Sequence, residues 1–447
     1  MRTTTPITTK ETSTTRKGRS PVAALVALAV IFTASVHAQH MMTDMHMIDG
    51  ISGPVFNLTA KEGHVSTADG GSVHFWGLAN GSGLAQYPAP TLIVPQGTTL
   101  QITLNNQLPM PVSLVFPGQI GVTATGGSQG AITREAATGG SVTYTFTASQ
   151  PGTYTYHSGT RPDLQVEMGI VGALIVRPVV MGMEMPMQAY AHTNTTFDHE
   201  FLFLLTEMDD KIHSLVEQNR MSEVDTTKRF PVYWFMNGRT GPDTMVSTNV
   251  SWLPSQPYDC MPMFHPGQRV LMRVIGGGSD PHPLHHHGNN STIIARNGRM
   301  LASAPANGPD LGESVFTIQS VPGETADAIF SWTGAKLGWD VYGHKPGDPM
   351  EPFEYAPDHG KPFPVAMPIN ERLTFGQHFS GSPFLGSAGS LPPGQGGFNP
   401  MNGYMYMWHS HNEKEIVNND LFPGGMMTMA MVNPYPSTNM TMSVQAP

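Results

Sequence analysis

Polar and apolar residues alternate in short runs along most of this chain. In Leu100-Gln101-Ile102-Thr103-Leu104 and Val142-Thr143-Tyr144-Thr145-Phe146 every second side chain is apolar, the pattern of a strand with one buried face. Similar runs at Val270 to Ile275, Val315 to Ile318, Ala328 to Trp332 and Tyr404 to Trp408 predict further strands. Clusters of turn-forming residues separate them at the spacing of a sandwich or barrel. Only Lys211 to Met221 has a helical pattern, so the predicted class is all-β.

The strand pattern repeats. Pro95-Gln96-Gly97 opens an alternating strand that leads through a polar turn to Val115-Phe116-Pro117-Gly118. Pro266-Gly267-Gln268 opens another that leads to His285-His286-His287-Gly288, with the same spacing between the outer glycines. Each copy is followed by a strand ending in His-Ser: Tyr154-Thr155-Tyr156-His157-Ser158, then Tyr406-Met407-Trp408-His409-Ser410. Two copies of one sandwich are the economical reading. The expected divisions are a first domain over 56–180, a Met/Pro-rich linker over 181–195, and a second domain over 196–447. A Gly/Pro-rich loop insertion is expected around 335–402.

The first residues do not fit this pattern. Arg16, Lys17 and Arg19 precede an apolar run from Val22 to Ala34, and Val36-His37-Ala38 supplies a small-residue cleavage site. Residues 1–38 therefore read as a secretory signal peptide, too short in its apolar run to anchor the chain as a transmembrane helix. The expectation is an exported protein, periplasmic or extracellular, whose next segment, 39–55, is rich in Met and His.

The formal net charge of the full chain is −10, and charged residues are only 13%. An acidic surface excludes nucleic acid as a partner, because phosphate binding needs a basic one. A single cysteine excludes a disulfide framework and any thiolate-rich zinc or iron–sulfur site. No Gly-x-Ser-x-Gly elbow, phosphate loop or helical His-Glu-x-x-His is present.

The chemistry concentrates at histidines. His285 and His287 are two residues apart, so in an extended segment both imidazoles leave the same face. His409 and His411 repeat the arrangement. These two pairs, with His157 in the other repeat, can converge on a metal, and imidazole suits copper, zinc, iron or nickel.

His282-Pro283-Leu284-His285-His286-His287-Gly288 resembles the His-Pro-x-His-x-His-Gly motif of the multicopper oxidases. The stretch from Pro88 to Val176 is similar to the first cupredoxin domain of that family, and Trp408-His409-Ser410-His411 takes the place of its last His-Cys-His motif. The resemblance implies two cupredoxin-like Greek-key β-sandwich domains, the second with the long insertion. It implies copper as the cofactor, with oxygen as acceptor and a small molecule or metal ion as reductant. It also implies a homotrimer, because two-domain relatives build their copper site between the first domain of one subunit and the second domain of the next.

Carried over position by position, the resemblance gives an incomplete site. One type 3 copper would keep His157 and His411, its partner His287 and His409, and the type 2 copper only His285. The remaining family positions hold Val115, Pro117 and Gly159. The blue-copper cysteine is replaced by Ser410, and the histidine expected four residues after His411 is Glu415. Of that electron-accepting site only His282 remains. His282, Glu413 and Glu415 are additional candidate ligands. Gly152 to Val176 also resembles the first domain of copper nitrite reductases, but Ser158 stands where their blue-copper cysteine would be. The implied activity is a copper-dependent oxidoreductase without type 1 copper; the alternative is a copper-binding, storage or structural protein without turnover.

The chain has 30 methionines. Met41, Met42, Met45 and Met47, with His40 and His46, and the alternating Met181, Met183, Met185 and Met187, are open to two readings: Cu(I) capture by thioethers, or simple tolerance of methionine. Met427, Met429 and Met431 alternate through a predicted strand and read as core packing. Cys260, beside Met261, Met263 and His265, reads as a buried structural cysteine, with a soft-metal site as the alternative.

Overall fold

The computed structural model describes residues 46–333 and 404–433. The signal peptide, the start of the Met/His-rich segment (39–45) and the insertion at 335–402 lie outside the described residues. Strands dominate what is described, and they assemble into two successive pairs of facing sheets.

The first pair holds residues up to Arg177. One five-stranded sheet runs Ile51–Ser52, Ala89–Pro95, Val171–Arg177, Gly152–Ser158, Leu114–Val115. The other runs Ser72–Asn80, Val55–Ser66, Thr99–Asn106, Ser141–Thr147, Thr123–Gly126. Both mix parallel and antiparallel neighbours, as crossovers between facing sheets require. The alternation works as the pattern predicts: Val142, Tyr144 and Phe146 are buried while Thr143 and Thr145 are half-buried. Their apolar faces meet Leu58, Ile102, Leu92, Leu174 and Val176 in one core.

The second pair has a larger sheet that orders Tyr233–Met236, His199–Met208, Arg269–Gly276, Thr325–Ser331, Ser291–Arg296 and Arg299–Met300, with Glu313–Val315 paired to Ser291–Arg296. The facing sheet orders Met263–Phe264, Met427–Val432, Tyr404–Ser410, His282–His286 and Thr317–Ser320. Phe203, Met272, Phe330, Leu284, Tyr406 and Trp408 fill the space between them.

Some strands are apolar without alternation, and the packing of the two sandwiches explains why. In His199–Met208, Phe201, Phe203 and Leu205 enter the core of their own domain, while Leu202 and Leu204 join a separate cluster with Val171, Ala173 and Tyr87 of the first domain. Successive side chains point to opposite faces, so a strand between two cores is buried at every position. Polar groups also cross this seam. Arg273, fully buried, bonds Glu200 (2.9 Å) and Thr153 of the first domain (3.0 Å). Glu200 is also held by Arg177 of the first domain, and Asp327 accepts from Thr153 and Tyr190.

Two local expectations are corrected. The helix forms over Asp210–Glu217, shorter than 211–221, with Asp209 as its cap. It stops because Asn219 adopts a left-handed conformation (φ 59), which favours Asn over most residues and cannot continue a right-handed helix. The run Val315 to Ile318 is not one strand. Glu313–Val315 pairs in the larger sheet and Thr317–Ser320 in the facing one, and Phe316 between them is 63% exposed. Among the described residues no helix is long and apolar enough to cross a membrane.

Removing the buried guanidinium should loosen the seam. Arg273→Met leaves Glu200 and Asp327 buried with fewer partners, and is expected to cost about 3–5 kcal/mol, read as a lower urea midpoint at unchanged slope.

Candidate metal centre

The strand register brings the histidines together. His282–His286 pairs antiparallel with Tyr404–Ser410, placing Leu284 opposite Ser410, His285 opposite His409 and His286 opposite Trp408. Leu284 and Trp408 point into the core, so His285 and His409 share the outer face. His287 follows directly, its backbone N–H donating to Met407 O. One ring nitrogen each from His285, His287 and His409 lies within 4.8 Å of the others. His287 Nε2 and His409 Nε2 are 3.3 Å apart.

Two of the rings are held from behind. His285 Nδ1 is 2.9 Å from Thr317 Oγ1, and His409 Nδ1 donates to Ser410 O at 2.7 Å. That second bond fixes the tautomer and leaves Nε2 with a free lone pair toward the group. Burial, reinforced by the neighbouring imidazoles, pushes His287 down to about 4 and lowers His285 as well. Burial also lowers His409. Neutral imidazoles with convergent lone pairs are the donor set a borderline transition metal requires, so copper fits these residues. The middle histidine of the run has another role. His286 sits on the core face between Phe330 and Trp408, and its Nε2 accepts from Ser291 N.

The other candidates are placed elsewhere. The exposed His411 borders the group, its ring 4.9 Å from that of His285, and its Nδ1 is 3.1 Å from Glu413. Among the described residues His157 does not join the three. It ends the Gly152–Ser158 strand of the first domain opposite Val115, and its Nδ1 donates to Ser158 O at 2.9 Å. This is the counterpart of the bond that orients His409.

His282 and Glu415 do not face the three imidazoles at all. His282 Nδ1 lies 2.9 Å from Glu415 Oε2 and its Nε2 lies 2.7 Å from Glu207 Oε2, so both nitrogens are committed to carboxylates. Ser410 Oγ donates to the same Glu415 oxygen at 2.5 Å. Arg229 neutralises the far side, bonding Glu207, Glu167 of the first domain and Asp280. Burial would discharge His282, but the bonds to Glu207 and Glu415 outweigh it and raise its pKa to about 9. Both nitrogens of His282 are bonded to carboxylates, so in this structure His282 and Glu415 form an ion-pair cluster apart from the three imidazoles. Glu207 and Arg229 escaped the sequence reading. The one available signal was a carboxylate at position 207 inside the apolar run Phe201 to Met208.

Cys260 is fully buried in the core, its thiol donating toward Met236 O and Thr244 O, and burial pushes its pKa well up. It is the structural cysteine of the two readings.

The ion-pair cluster has a pH signature. Because the folded pKa of His282 lies above the ordinary 6.5, its contribution is complete below that value and lost as pH rises through about 9. The shift corresponds to about 3 kcal/mol. Stability should therefore fall between pH 7 and 10, and nitrogen NMR of the His282 ring should show both nitrogens protonated at pH 8. A neutral ring at pH 8 would contradict the assignment.

A multicopper oxidase family model matches residues 59–180. An iron transport multicopper oxidase, fetC, of Epichloe festucae (strain E2368) is 34% identical over 151 residues; the match covers 33% of this chain and about a fifth, 22%, of that relative. Among solved structures, the blue copper oxidase from Nitrosomonas europaea superposes with TM-score 0.54 at 19% identity, over 84% of this chain and 85% of that one. Multicopper oxidase mgLAC gives 0.53 at 17% identity, over 88% and 89%. At these identities the structures speak for the fold. The chain is therefore multicopper oxidase-like: its first domain matches that family, and its described residues carry the cupredoxin fold.

Proposed function

We propose that this protein is an exported, copper-dependent oxidoreductase that takes electrons from a small molecule or metal ion and passes them to oxygen. The observation that carries this reading is the convergence of His285, His287 and His409 within 4.8 Å. Bound copper supplies one-electron exchange between reductant and acceptor. The chain supplies the rest: Thr317 and the Ser410 carbonyl hold two imidazoles in position, and an open cleft lined by His285, His287, Asn289, Asn290 and Phe316 gives small molecules direct access.

Type 1 copper is absent from this reading, because Ser410 offers no thiolate and His282 is an imidazolium between two carboxylates. A small reductant would then bind in the cleft itself, beside His285 and His287. The name of the fungal relative makes ferrous ion one candidate reductant. His157 joins the centre in a homotrimer, presented by the first domain of a neighbouring copy.

The same closed position at His282 favours a second reading, a copper-binding protein without turnover. Metal analysis with electron paramagnetic resonance and oxygen uptake separates the two. One or two coppers per chain, with oxygen consumed in the presence of Fe(II), Cu(I) or phenols, supports the oxidoreductase. The same copper content without oxygen uptake supports storage. His285→Ala/His287→Ala is expected to abolish stoichiometric Cu(II) binding with the fold retained; unchanged copper content would overturn the site. Light scattering of the copper-loaded protein is expected to give a trimer.

A further inference from the structure

The sheet that carries the three histidines has a second feature on the same face. Tyr404–Ser410 pairs antiparallel with Met427–Val432 so that Met405 lies opposite Met431, Met407 opposite Met429, and His409 opposite Met427. Met263, on the next strand, lies beside Met431. Residues directly opposite share a face, and alternate residues along a strand share it too. The intervening Tyr406, Trp408, Ala430 and Val432 all belong to the core. The six methionines therefore lie on the outer face, the face of His285 and His409. Met405 and Met427 are buried, while Met263, Met407, Met429 and Met431 are half-buried. Met427 is buried against Gly241, in keeping with core packing, whereas the half-buried Met429 and Met431 depart from that reading.

The placement makes a continuous field of soft donors. Direct cross-strand neighbours have Cβ atoms about 5 Å apart, and the next pair along the strands is about 7 Å away. Methionine has three rotatable bonds beyond its backbone, so thioethers of adjacent pairs can meet on one ion. The last step of the ladder sets Met427 beside His409, a member of the histidine group. Strand positions needing only apolar cover are ordinarily filled by Val and Ile, which suit a pleated surface better. Here the outward positions of two neighbouring strands are methionine, up to His409 on one of them.

We propose that this methionine ladder is a Cu(I) site that receives cuprous ion on its thioethers and hands it along the sheet to the histidine centre. Thioether sulfur is a soft donor that selects Cu(I), whereas imidazole accepts copper in a harder environment. The ladder is a metal site beyond the histidine centre, and it stands whether or not that centre turns over.

The experiment is an anaerobic titration of the full chain with Cu(I) against a chromophoric Cu(I) chelator, repeated with Ag(I) as a redox-inert probe. X-ray absorption at the copper edge reads the donor atoms. The wild-type protein is expected to show copper–sulfur scattering, and His285→Ala/His287→Ala should keep it. That result separates this site from the histidine centre, whose failure would appear as lost Cu(II) binding alone. Met405→Leu/Met407→Leu/Met429→Leu/Met431→Leu conserves side-chain volume, and should lose the sulfur signal and weaken Cu(I) binding by at least about tenfold. If that variant does not fold by circular dichroism, the single variants Met407→Leu and Met429→Leu should each reduce the sulfur signal. Met181→Leu/Met183→Leu/Met185→Leu should leave it unchanged. Nitrogen-only scattering in the wild type, or an undiminished sulfur signal in the folded Leu variants, would overturn the proposal.

Discussion

The antiparallel register between His282–His286 and Tyr404–Ser410 is the constraint on which the rest of this molecule's chemistry depends. It places His285 opposite His409 and, in the same stroke, Leu284 and Trp408 in the core. A slip of one residue would exchange the faces, turning the imidazoles inward and the core residues out. Burial of the core face therefore fixes the metal-facing geometry, and no separate energy is needed to assemble it. The outward row of methionines on the adjoining strand is set by the next pairing, of Tyr404–Ser410 with Met427–Val432.

Next to this outer face, His282 is the centre of an ion-pair cluster. His282 between Glu207 and Glu415 is a charge arrangement complete in itself: two carboxylates, an imidazolium, and Arg229 beyond. Buried ions are costly to desolvate and gain only when every member is paired. This one is paired on all sides, so removing any one member would leave a buried charge uncompensated. Arg229 also reaches Glu167 of the first domain, so the cluster helps tie the two sandwiches together. The Arg273–Glu200–Asp327 group does the same at another point of the seam.

That seam gives the fold its unusual share of strands buried on both faces. His199–Met208 is buried at every position because one face serves its own core and the other faces the first domain. His157, by contrast, ends its strand away from the three converging imidazoles. Its ring is nevertheless oriented by the same carbonyl bond as His409, a correspondence that follows from the repeat of the strand ending in His-Ser.

Much of this was determined by the sequence. Alternation settled the all-β class, the duplicated spacing pointed to two related sandwiches, and the His-x-His pairs marked where donors share a face. Serine at 410 and glutamate at 415 stand where the family resemblance implies a blue-copper thiolate and imidazole. Only the tertiary structure decided what those two residues do instead, because Glu207, His282 and Glu415 are far apart in the chain and are brought together by sheet order. It also decided that Phe316 breaks one predicted strand into two, and that the methionines at 427, 429 and 431 face outward. Alternation shows that a strand has two different faces; which of them is the inside depends on what packs against it. In this strand the small and branched Thr428, Ala430 and Val432 fit against the aromatic core, and the larger methionines are left on the side of the histidines.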